Sequence, residues 1–208
     1  LNVELAISIL ALIVSIATVW ITVFHRGTIK MSRPQFFALI PEDGPFGSWI
    51  KFFMRVLLFS TGQRGRVIES MYVTLNQNGN SLPFHYWMYG DTDRLAIGSG
   101  VFVGHEGLAA NHHFVPVGTV SSNDIVAGTY HAEVHANLLG DRTPTRLFDL
   151  KFVLSEDEVS ALRTSKDKAI FFTWDKSERV YKSRIDVRKP KGRSFSVSGS
   201  GHGPFSWE

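Results

Sequence analysis

Residues 5–24 form a run of 20 positions without a charged side chain, and no other feature limits the fold of this sequence as much. A helix rises about 1.5 Å per residue, so the run spans about 30 Å, the thickness of a bilayer's hydrocarbon core. A cleaved signal peptide fits badly. Glu4 precedes the run while no Lys or Arg does, and no A-x-A site follows it. The run also exceeds the roughly 7–15 residues of a signal core. The expectation is a single transmembrane anchor over residues 1–25, with Trp20 near the headgroup level.

Two patterns refine that anchor. Ser8, Ala11, Ser15, Thr18 and Thr22 recur at helical spacing and share one face. Small and hydroxylated residues in such a stripe let two helices approach closely, which predicts self-association or pairing with another membrane protein. Serine and threonine hydroxyls can equally bond back to their own helix. Positive charge lies after the run, in His25, Arg26, Lys30 and Arg33. The positive-inside rule then places the following domain in the cytoplasm, as a single-pass protein of a bacterial inner membrane.

The net charge of +3 is gathered at that flank and at Arg188, Lys189, Lys191 and Arg193, which open a polar tail. Basic residues beside a membrane meet anionic lipid first. Nucleic acid is the weaker expectation, although Phe195, Phe205 and Trp207 offer stacking groups in the tail.

Between anchor and tail the pattern is that of strands. Sixteen Phe, five Trp and five Tyr suit a pleated surface. Cysteine is absent, so disulfide and thiolate chemistry are excluded and a zinc site would need His and carboxylates. In residues 49–59, Ile50, Phe52, Met54, Val56 and Leu58 form one face. Trp49, Phe53, Leu57 and Phe59 lie on the other, as core or as a binding surface. Strand patterns follow at 67–75, 84–89, 96–103, 108–117, 128–139 and 147–154, with Asn78-Gly79 marking a turn before the second. Ser155 and Glu158 have capping-box spacing and start one short helix. Residues 169–174 and 180–187 read as a C-terminal hairpin. The expected organisation is an anchor (1–25), a juxtamembrane segment (26–48), an antiparallel β-sandwich (49–187) and a flexible basic tail (188–208).

The segment 124–130, with Asp124, Gly128 and Tyr130, resembles the tyrosine corner of immunoglobulin-like domains. Trp87 resembles their buried core tryptophan, and Ala132 stands where disulfide-bonded members carry Cys. The resemblance covers about 90 residues and implies an immunoglobulin-like sandwich free of disulfides; it implies fold rather than activity. The whole sequence is also similar to bacterial proteins built from one anchor and one β domain.

Candidate chemistry is sparse. His131, Glu133 and His135 share a strand face, and His112 and His113 lie on a nearby strand. Residues at i and i+4 on a strand are about 13 Å apart, so a metal would need one of the first group together with His105, His112 or His113. The stretch 98–104 is rich in glycine but lacks the Lys-Ser/Thr and the helix of a phosphate loop. No nucleophile elbow is present. The sequence implies no cofactor and no catalytic residue. The leading expectation is a membrane-anchored, self-associating binding module. A membrane sensor or effector with a small ligand stands second, and a His-dependent metalloenzyme third.

Overall fold

The computed structural model describes residues 2–20, 27–44, 47–91, 94–98, 100–116 and 121–187. The chain begins with helix α1 (Val3–Val19), and the remainder is mainly β, in two antiparallel sheets. The larger sheet has the order β13 (Val180–Val187), β12 (Lys168–Asp175), β2 (Phe36–Gly44), β3 (Gly47–Ser60), β9 (Leu108–Val115), β6 (Tyr86–Asp91) and β7 (Arg94–Ile97). Strand β1 (Ile29–Met31) also pairs with β3. The smaller sheet has the order β11 (Thr145–Leu154), β10 (Gly128–Leu138), β4 (Arg66–Gln77) and β5 (Asn80–Phe84), with β8 (Val101–Val103) also on β4.

Alternation decides which side chains meet between the sheets. Ile50, Phe52, Met54, Val56 and Leu58 of β3 all point inward, as do Tyr130, Ala132, Val134, Ala136 and Leu138 of β10. Phe37 is fully buried at the centre. Its ring stacks on Phe172 at 4.5 Å and meets Phe152 of the facing sheet edge-on at 5.2 Å. Truncating such a ring to Ala costs about 3–5 kcal/mol.

Each sheet has a long strand with one edge shared by two partners. On β3, β1 takes 58–60 and β2 takes 47–54. Ser32 bridges the gap: its N–H donates to the Leu57 carbonyl and its Oγ accepts from the Leu57 N–H. Pro41 is tolerated in β2 because β12 pairs only with 36–39, so no ladder bond needs its missing N–H.

Several expectations change. Helix α1 covers 17 residues, and among the described residues no helix is long and apolar enough to cross a membrane. The expected span continues into 21–26, and Thr22, His25 and Arg26 lie outside the described residues, as does the tail 188–208. Segment 26–48, expected as a juxtamembrane connection, contributes β1 and β2 to the sandwich.

The strand expected at 84–89 is divided. Asn78 (φ 49°) and Gly79 (φ 84°) make the two-residue turn, β5 returns beside β4, and at His85 the chain crosses to β6 of the other sheet. The strand expected at 96–103 likewise splits into β7 and β8 around Gly98 and Gly100. A Cβ at Gly98 would collide with the Trp87 indole, so the glycines serve a sheet crossing.

Candidate functional site

Helix α1 is apolar around its circumference and buries none of its residues. Eleven large apolar side chains between Val3 and Trp20 are each at least 46% exposed. Of the expected stripe, Ser8, Ala11, Ser15 and Thr18 lie along α1. The hydroxyls of Ser8, Ser15 and Thr18 donate to the carbonyls of Glu4, Ala11 and Val14 at 2.7–2.9 Å. These polar groups are thus satisfied within the helix, as an apolar surrounding requires.

The second candidate surface is the outer face of the larger sheet. Because inward residues alternate along β3, Trp49, Lys51, Phe53, Arg55, Leu57 and Phe59 point outward. Trp49, Phe53 and Phe59 are half-buried there, and Leu57 is exposed. Phe53 lies 5.8 Å from Phe36 and 4.9 Å from the His113 ring. Together with Phe171 it flanks Ala38, Ile40 and Ala169, which are buried on this outer face. Lys51 is almost buried and its Nζ sits 2.6 Å from Glu42 Oε1, while Arg55 donates to Asn111 Oδ1 at 3.1 Å. The face thus combines half-buried aromatic rings with one ion pair and one arginine–amide hydrogen bond.

The histidines do not converge. His112 points into the core, where its Nδ1 accepts the Trp87 indole N–H at 3.0 Å, which assigns the proton to Nε2. Burial holds its pKa down at about 4. His113 points outward, and burial, then the Lys51 charge, then His112 lower it to about 3. His131, Glu133 and His135 lie in the smaller sheet. His131 faces Asp149, Glu133 accepts from Arg146, and His135 stacks on Tyr72 at 5.1 Å. His105 stands beside Glu106 on an exposed turn. Among the described residues no three His, Asp or Glu side chains are grouped to hold a metal ion. Val153, Ser155, Glu158 and Tyr181 line a shallow open depression on the sandwich.

Tyr130 is bonded back to the turn that precedes its strand. Its hydroxyl donates to the Val126 carbonyl at 2.9 Å and accepts from the Val126 N–H at 3.0 Å. Asp124 closes a capping box with Ser121 in the preceding 3-10 turn, and Arg163 of helix α2 (Glu156–Thr164) donates to the carbonyls of Asn123 and Ile125. Gly128 lies against the Gln77 side-chain amide at φ +136°, a backbone conformation that side chains rarely adopt. Trp87 is buried as expected but lies in the larger sheet, whereas Tyr130 lies in the smaller one. In immunoglobulin domains the two belong to one sheet. Sequence reasoning missed the Trp87–His112 pair, because β9 buries residues on both faces and its pattern carries no alternation.

No protein family, curated relative or solved structure matches the chain.

Proposed function

We propose that this protein is a membrane-attached binding module. Helix α1, with the apolar residues that follow it, enters the bilayer, and the β-sandwich presents its outer faces to a partner. One observation carries the reading: most of the surface of α1 is apolar, and none of its residues is buried among the described residues. Leaving eleven such side chains in water costs on the order of 10–20 kcal/mol relative to burying them. The described helix is about 26 Å long at 1.5 Å per residue. Ile21, Thr22, Val23 and Phe24 continue the uncharged run in the sequence. The stripe of Ser8, Ala11, Ser15 and Thr18 supports a second copy of the chain as the first partner. The aromatic outer face around Phe53 supports a protein partner for the domain. Neither a metal group nor an enclosed cavity among the described residues favours the enzyme or small-ligand readings.

The test is flotation of the full chain with neutral phosphatidylcholine vesicles in high salt, where electrostatic adsorption is screened. The protein is expected to rise with the lipid. Protein remaining at the bottom of the gradient, folded and monomeric, would refute membrane attachment.

A further inference from the structure

The chain joins the sandwich from α1 at a fixed place. Thr28 and Thr61 are locked together: the Thr28 N–H donates to Thr61 Oγ1 at 2.8 Å, and the Thr61 N–H donates to the Thr28 carbonyl at 2.9 Å. Gly27, at φ +61°, presses on Gly62 where no side chain fits. The helix is therefore tethered to the end of the sandwich that carries the β3–β4 loop, the β8–β9 turn and the β10–β11 turn.

That end has an uncovered apolar row. Phe102 pairs with Val67 on one side of β4, and on the other side the Leu139 N–H donates to the Val67 carbonyl at 3.0 Å. Phe102 is 59% exposed and Leu139 57%. With adjacent strands about 4.8 Å apart, the two side chains stand about 10 Å from each other. Arg64 and Arg142 lie exposed on the adjoining loops, and none of the ion pairs among the described residues engages either. Asp141 at this end pairs with Arg66 at 2.7 Å, and Glu106 stands 3.3 Å from His105.

We infer that this end is a second membrane contact: Phe102 and Leu139 dip into the interface of the bilayer that holds α1, while Arg64 and Arg142 pair with anionic headgroups. The inference rests on the membrane reading above. Two features select a bilayer over another occupant: the tether to α1, and the pairing of apolar row with basic rim. The sandwich is then held at one orientation, with the outer face of the larger sheet standing free of the lipid.

The chain has no native cysteine, so a fluorophore can be placed singly at Ile13→Cys, Phe102→Cys, Leu139→Cys or Ser160→Cys in the full protein. The proteins are reconstituted into vesicles of phosphatidylcholine and phosphatidylserine. Spin labels on acyl chains are expected to quench position 13, and spin labels on headgroups positions 102 and 139, with position 160 unaffected. Quenching at 13 with 102 and 139 behaving like 160 overturns the inference and leaves the membrane reading standing. No quenching at 13 overturns both. As a second arm, Arg64→Gln and Arg142→Gln should each lower the docked-to-undocked ratio about fivefold in phosphatidylserine vesicles, from roughly 1 kcal/mol per basic residue. An unchanged ratio overturns the headgroup pairing.

Discussion

His112 keeps a neutral imidazole in the core between Trp87 and Phe114, with its Nε2 lacking a hydrogen-bond partner among the described residues. Its folded pKa of about 4 lies below the ordinary 6.5 because burial penalises the charged ring. The unfolded chain therefore takes up this proton at a higher pH than the folded one. The contribution to stability is complete above about 6.5 and is lost as pH falls through the window to about 4, on the order of 3 kcal/mol in total. Urea unfolding should show that loss between pH 7 and pH 4.5, and the His112 ring resonance should stay at its neutral shift through pH 5. A ring that titrates near 6.5 contradicts the buried placement. At this scale the sequence was legible where burial alternates. His131, Glu133 and His135 share one strand face in the sequence, and Tyr130, Ala132 and Val134, which alternate with them, are buried in the core. It was illegible for His112 and His113, whose strand is covered on both sides by Phe53, Trp87 and their neighbours.

Elements were legible where a local rule operates over enough residues. β3 shows eleven alternating positions, the β4–β5 turn has Asn78-Gly79, and the α2 start has Ser155 and Glu158 bonding reciprocally. β1 has three residues and no pattern to find. β5, β6, β7 and β8 were merged or misplaced because one His or a few Gly carry the chain between sheets, and the partner that makes Gly98 necessary, Trp87, is a long-range one. Helix α1 was legible from its lack of charge, and its stripe yields a prediction. The hydroxyls of Ser15 and Thr18 already donate within the helix, so association depends chiefly on close approach of backbones. Ser15→Leu with Thr18→Leu should weaken self-association in a membrane reporter by about 1–2 kcal/mol, roughly 5–30-fold in dimerisation constant. Ile13→Leu, on the opposite face, should leave it unchanged. Equal signal from both variants removes the stripe as the contact.

At the scale of the molecule, two antiparallel sheets with one aromatic core were legible as a class from strand count and turn spacing. The strand order was not: the chain passes between sheets after β3, at His85, between β7 and β8, between β8 and β9, before β10 and through α2, and each crossing is decided by packing across the sandwich. That is also why Trp87 and Tyr130, paired by the sequence resemblance, stand in opposite sheets. What unites the parts is a sandwich joined through Gly27 and Thr28 to a helix that buries none of its residues among the described ones. The direct measurement is alkaline carbonate extraction of membranes from cells that express the full chain. Integration through residues 3–24 predicts that the protein stays in the membrane pellet and leaves it only with detergent. Release into the carbonate supernatant would contradict the account and return α1 to a contact with a soluble partner.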